Sequence, residues 1–246
     1  MRGWAAGLAV VAVLGTTSVV LAYEVQAPKQ GMVQSTEILQ LRAKLAEREA
    51  QLQRLQEKVK HLEEAEHLAE AERLGVLKAV AQSGLPERQQ KRLAVAIVRE
   101  AKLNGVDPML VVAIIRCESS FNNYAVSHVG AMGLMQVMPD TGKWLAERAG
   151  WKLGRPTNLF DSELNVQLGT AYIAELIARF GSVEKALVAY NAGPGLARRI
   201  LAKPDVKKRF MAGYPKKVVG EFRKLKSKQE SELTLRAEKA TVGSKS

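Results

Sequence analysis

A single cysteine, Cys117, occurs in the 246 residues of this chain, so no intrachain disulfide can form and cysteine pairing gives no compartment. Charge is missing from residues 3–22, "GWAAGLAVVAVLGTTSVVLA", which follow Met1 and Arg2. A short positive start before an uncharged apolar run is the pattern of a signal peptide or membrane anchor. Cleavage would fall after Ala22 of "VLA"; an uncleaved anchor competes, because twenty helical residues reach roughly 30 Å, the hydrocarbon thickness. Acid is in short supply: 37 Lys+Arg against 25 Asp+Glu leave a net charge of +12, which suits an anionic partner such as nucleic acid, a membrane surface or an acidic wall polymer. The last stretch, residues 216–246, holds nine Lys/Arg against four Glu. The apolar fraction of 47% with 25% charged residues is that of a folded chain.

Residues 23–36, "YEVQAPKQGMVQST", carry Pro28 and Gly31 without periodicity and read as a linker. From residue 37 a heptad pattern sets in. With Ile38 at position a, the seam is Ile38, Leu41, Leu45, Arg48, Leu52, Leu55, Val59 and Leu62, seven of eight apolar, which predicts a coiled coil over 37–78 and a homo-oligomer through it. The alternative is an amphipathic helix lying on the following domain, although a 3.5-residue seam is narrower than a core-facing stripe. His61 and His67 fall on this helix as solvated positions. A leucine-zipper DNA binder is excluded because residues 23–37, where its basic helix would lie, contain Lys29 as their one basic residue.

"SGLPE" at 83–87 opens a second domain, expected over 84–225 and mainly α. Helices are predicted from Pro86 to Leu103, from Pro108 behind the capping Asp107 through "PMLVVAIIRCESS", and over 140–149, 162–180 and 182–191, the last stopped by Gly193 and Pro194. Residues 226–246, polar and basic, are expected to be disordered.

Glu118 ends the apolar run "MLVVAIIRCE", and the next acid is Asp140, so the stretch "RCESSFNNYAVSHVGAMGLMQVMP" offers one carboxyl group. Desolvation by that helix would raise its pKa and make it a proton donor; a helix C-terminus is otherwise an unfavourable place for a carboxylate. The residues alone leave both readings open. Between the two acids, Asn122, Asn123, Ser127 and Gln136 can hydrogen-bond a polyol or amide, and Gly130 and Gly133 let a ligand approach backbone. If "LMQVM" is extended, Leu134, Gln136 and Met138 share one face. Of Met132, Met135 and Met138, at least two are expected to fill core.

"ESSF", "GAMGLMQVMP" and, fifty residues on, "ALVAYNAGPG" together resemble the SLT-type lytic transglycosylases, lysozyme-like enzymes that cleave peptidoglycan, over roughly residues 88–225. The resemblance implies a lysozyme-like domain behind an N-terminal membrane or signal segment and a coiled-coil helix. It carries the catalytic acid onto Glu118 and the substrate-binding residues onto Ser127, Gln136, Met138, Tyr190 and Asn191, with Tyr190 and Asn191 supporting the glutamate and the sugar across the cleft. It further implies cleavage of the MurNAc–GlcNAc β-1,4 bond with 1,6-anhydro-MurNAc ends, because the substrate's N-acetyl carbonyl and C6 hydroxyl replace a second carboxylate, so neither metal nor cofactor is required. The expected partner is the peptidoglycan glycan strand rather than nucleic acid, and the expected location is the bacterial cell envelope, periplasmic, anchored at the inner membrane or released. Cys117 stands where the family often has a polar residue, and His128 and Val129 stand where Pro and Ala are common. A Cys117 nucleophile would need a positioned His as base. A hydrolytic muramidase of the same fold and a glycan-binding envelope scaffold are the competing functions.

Overall fold

The computed structural model describes residues 29–243, with side chains over 37–235. The expected signal or anchor segment, 1–22, lies outside the described residues. No helix among those described is long and apolar enough to cross a membrane. The chain divides into two compact units at Glu57 and Lys58.

Helix α1 runs unbroken over Lys29–Arg73. It therefore begins inside the expected linker: past Pro28 nothing in "KQGMVQST" forbids helix, and once nucleated a helix extends at one hydrogen bond per residue. It ends at Arg73, two residues before Gly75, which adopts φ 74°, a left-handed backbone that glycine takes without Cβ strain. The apolar seam is bare along its length: Ile38 is 49% exposed and Leu41, Leu45, Leu52, Leu55, Val59 and Leu62 lie between 52% and 62%.

The second unit follows as α2 (Val76–Ala81), α3 (Glu87–Asn104), α4 (Pro108–Glu118), α5 (Pro139–Arg148), a 3-10 turn (Pro156–Phe160), α6 (Ser162–Phe180), α7 (Val183–Ala192), α8 (Pro194–Leu201), α9 (Pro204–Met211) and α10 (Tyr214–Gly243). No strand is formed among the described residues; the nearest are two isolated bridges, Val126 with Met132 and Met132 with Val137. The mainly α class expected from periodicity is the class observed.

Helix α4 is the axis of the unit. Met109 through Ile115 are all buried, which is the behaviour of a helix apolar around its whole circumference, and α2, α3 and α10 pack against it. Asp107 caps it, its Oδ1 accepting from the Met109 N–H at 2.8 Å, with Pro108 in the first turn. Helices α3, α6 and α7 complete the core behind it.

The C-terminal stretch departs from expectation. Residues beyond 225 continue α10 as helix to Gly243 rather than forming a disordered tail. The reason is a stripe at helical spacing, Val218, Phe222, Leu225 and Gln229, whose members are buried or packed on the core, with Lys226 paired to Asp107 at 3.2 Å. Tertiary burial overrides a polar average composition.

Candidate active site

Because α4 is buried up to Ile115 and stops at Glu118, it delivers one carboxyl group to the edge of the core, half-buried. The chain then turns through Ser120 at φ 50° and Phe121 at φ 67°. Left-handed backbone in such residues costs on the order of 1–3 kcal/mol each and persists where surroundings hold it. Here Phe121 is 5% exposed, and the Ser119 hydroxyl donates to the Leu134 carbonyl at 2.8 Å, tying the helix end to the "GLMQ" turn.

That turn is not the extended strand anticipated. Gly133 has φ 79° and Gln136 φ 50°, so Leu134 is buried at 1% while Met138 is 39% exposed, and the two do not share a face. The turn is tight because Gly133 has no Cβ: one would collide with Asn165 Nδ2 and the Leu159 carbonyl. Gln136 Nε2 donates to the Gly133 carbonyl at 2.9 Å and the Ala125 carbonyl at 3.1 Å. Asn165 of α6, fully buried, accepts from the Met135 N–H at 2.7 Å and donates to the Met132 and Leu159 carbonyls at 2.9 and 2.8 Å. Its amide thereby pairs the Met135 N–H and the Leu159 carbonyl, which no helix or strand pairs, and shares the Met132 carbonyl with the Val137 N–H. Gly169, one turn further along α6, leaves room for Met135, whose sulfur would lie 2.6 Å from any Cβ there.

Tyr190 of α7 donates its hydroxyl to the Met135 carbonyl at 2.7 Å. It braces the turn; the phenol that reaches Glu118 is that of Tyr214, at the start of α10, donating to Oε1 at 2.5 Å. One turn on, Lys217 Nζ donates to the Cys117 carbonyl at 3.1 Å, a cation placed on the free carbonyls of the α4 terminus.

The electrostatics follow. Burial pushes the Glu118 carboxyl above its ordinary value, opposed by the Tyr214 hydrogen bond and the Lys217 charge, both of which favour the ionised form. Burial first, and the neighbouring Glu118 second, hold the phenols of Tyr190 and Tyr214 well above the usual tyrosine range. Tyr214 therefore remains a neutral donor to Oε1, which leaves Oε2 as the oxygen free to carry a proton. Cys117, also raised by burial first, is a poor thiolate.

Among the residues singled out from sequence, Glu118 and Tyr190 meet at one place, Tyr190 through the turn. Ser127 closes its own loop: its Oγ accepts from the Ala131 N–H at 3.0 Å. Met138 stands exposed ahead of α5, and Asn191 is exposed beside Tyr214 in a hollow also lined by Arg209, Phe210 and Pro215. Met135 is fully buried, and Met132 packs against the core, so two of the three methionines fill core. Sequence reasoning missed Tyr214, Lys217 and Asn165. The first two lie about a hundred residues from Glu118 with no periodic signal; Asn165 could have been noticed as a polar residue on the core face of α6, at helical spacing from Leu168 and Gly169.

A helical unit that presents one half-buried carboxyl group above a clamped, glycine-dependent turn has the mainly α architecture of a lysozyme-like fold. The comparisons narrow this further. Residues 96–210 match the family model described as the transglycosylase SLT domain. Relatives named membrane-bound lytic murein transglycosylase C are 37% identical over 142 residues in Cronobacter sakazakii (52% of this chain, 39% of the relative) and 38% over 146 residues in Klebsiella pneumoniae (54% and 41%). The chain thus spans about two fifths of the length of these relatives. Among solved structures, an inactive mutant of the lytic transglycosylase Slt from Pseudomonas aeruginosa aligns with a TM-score of 0.50 at 33% identity, over 55% of this chain and 24% of that one. The 70 kDa soluble lytic transglycosylase of Escherichia coli aligns at 0.51 and 24% identity, over 67% and 30%, a likeness of fold.

Proposed function

We propose that this protein is a peptidoglycan lytic transglycosylase that cleaves the MurNAc–GlcNAc β-1,4 bond and leaves 1,6-anhydro-MurNAc ends, with Glu118 as its acid and base. The observation that carries the reading is the half-buried Glu118, raised by desolvation and oriented by Tyr214 through Oε1. A proton held on Oε2 passes to the glycosidic oxygen as the bond to the anomeric carbon breaks, with the N-acetyl carbonyl assisting there. The C6 hydroxyl of the same sugar then attacks that carbon, and its proton returns to Glu118. Bond count and proton count balance without water, metal or a second carboxylate. In this scheme Gln136, whose amino group is occupied by backbone, offers Oε1 to a sugar hydroxyl or amide. Met138 and Asn191 supply exposed contact, while Ser127 and Tyr190 shape the wall that holds them.

We further propose export to the periplasmic side of a bacterial envelope, with residues 1–22 as signal or inner-membrane anchor; the relatives are called membrane-bound, which agrees with this. The bare seam of α1 is what a second copy of the helix covers, and a parallel dimer follows if both chains leave one membrane in the same direction. Mass spectrometry of muropeptides released from purified sacculi tests the function. The expected products are lighter than lysozyme products by one water. Reducing MurNAc ends would establish a hydrolytic muramidase instead, and binding without release would establish a scaffold.

A further inference from the structure

We propose that a pocket between α2, α4 and α10, apart from the Glu118 carboxyl, binds the carboxyl-terminal end of a short peptide with small apolar side chains. The pocket has a volume of about 160 Å³, some five times the roughly 30 Å³ share of a water molecule, room for one small residue and part of the next. The floor is apolar, formed by Gly75, Ala79, Met109 and Leu225. Gly75 takes a left-handed backbone, φ 74°, at the pocket wall, where a Cβ would meet the Met109 methyl at ordinary contact distance.

Gln229 points to a ligand. It is 8% exposed, it lines this pocket, and its Oε1 is the one buried side-chain polar atom without a hydrogen-bond partner among the described residues. A buried acceptor left unmade opposes folding, and proteins retain such groups where something else uses them. The charges around it divide cleanly. Arg116 is held by Glu221 at 2.7 Å and Gln82 at 2.6 Å, and Lys78 by Glu232 at 2.6 Å. Lys224 and Lys228, one turn apart on α10 at the pocket rim, make no ion pair among the described residues. The complement of this surface has an N–H for Gln229, an anion for the two lysines and a small apolar group for the floor. The last residue of a peptide ending in alanine carries all three on adjacent atoms.

The pocket also has an exit. Arg116, Glu221 and Lys224 border both it and an open groove lined by Cys117, Gly213 and Lys217, which leads to the end of α4 that bears Glu118. A peptide seated by its carboxylate could run along the groove toward the glycan. This inference rests on the peptidoglycan reading, in which glycan strands carry peptides, and it would make the enzyme favour peptide-bearing strands.

The test is a titration of the full chain, carrying ¹³C-labelled methionine methyl groups, with acetyl-alanyl-alanine in its L,L and D,D forms, Met109 being assigned by Met109→Leu. Saturable movement of the Met109 resonance by either form, with Gln229→Leu and the pair Lys224→Ala plus Lys228→Ala each weakening binding about tenfold or more, is the expected result. The C-terminal amide of the same dipeptide should bind at least about tenfold more weakly, for want of the carboxylate. Gln229→Leu should melt at or above the parent temperature, because Oε1 has no partner to lose. No movement of Met109 at tens of millimolar peptide, equal movement with inorganic phosphate, or a Gln229→Leu variant that binds as the parent does would each overturn the proposal. Binding requires no bond cleavage, so a failure here is distinguishable from a failure of the glycan-cleaving reading.

Discussion

Replacing Tyr214 by phenylalanine deletes one oxygen and with it the 2.5 Å hydrogen bond to Glu118 Oε1. The ring stays, so the packing of the α10 start is preserved and the change isolates the bond. A hydrogen bond to an ionised carboxylate contributes about 1.5–3 kcal/mol, and one between neutral groups about 0.5–1.5 kcal/mol. The cost of Tyr214→Phe should therefore depend on pH, being larger by about 1 kcal/mol near pH 8, where Glu118 is ionised, than near pH 4, where it is protonated. For a domain of this size about 1 kcal/mol corresponds to roughly 2–4 °C in melting temperature. The same difference acts on titration. Tyr214 favours the ionised form and holds the Glu118 pKa down against burial, so its removal raises that pKa further. The pH at which cleavage is lost on the alkaline side should then move upward, while the rate at the optimum falls about tenfold to a hundredfold because the acid is no longer aimed. Paired thermal melts and a pH–rate profile from sacculus turbidity measure all three quantities. An equal melting loss at both pH values, with an unmoved alkaline limb, would refute the coupling of Tyr214 to Glu118.

Glu118→Gln should abolish cleavage and still fold. Since the folded pKa of Glu118 is raised, its favourable contribution is present below the unfolded value of about 4.3 and is lost as pH rises through the folded pKa; the Gln variant should melt at or above the parent near neutrality and converge with it toward about pH 4. A variant that still clears sacculi removes Glu118 as the acid. Asn165→Leu leaves the Met135 N–H and the Leu159 carbonyl without the amide that pairs them, while the Met132 carbonyl keeps the Val137 N–H, so urea unfolding should show a loss of roughly 2 kcal/mol or more, and a loss below about 1 kcal/mol would mean the turn satisfies itself. Leu52→Glu with Leu55→Glu, both on the bare seam, should convert a sedimenting dimer to monomer, and a parent already monomeric at tens of micromolar ends the coiled-coil reading.

The parts of this protein legible in advance are those specified by neighbours in the chain. Asp107 and Pro108 announce α4, its apolar run announces burial, and the run's end places Glu118 at a core boundary, all within a dozen residues. The motif glycines at 133 and 193 mark turns for the same local reason, a backbone angle that other residues resist. Gln229 continues the stripe Val218, Phe222 and Leu225 at helical spacing in the order of residues, but the polar, basic composition beyond residue 225 suggested a disordered tail. Only contact with α4 decided that the stripe was buried. The turn after Gly133 shows the limit from the other side. Alternation in "LMQVM" allows a strand, and what prevents one is a single amide, Asn165, reaching from α6. The phenol that tunes Glu118 likewise arrives from 96 residues away, through the packing of α10 on α4. Periodicity, caps and glycine conformations act over one or two turns of chain and can be read from the order of residues. A hydrogen bond between distant side chains exists only once packing has brought them to within 3 Å and excluded the water that would compete, so the choice between Tyr190 and Tyr214 was made by the tertiary structure.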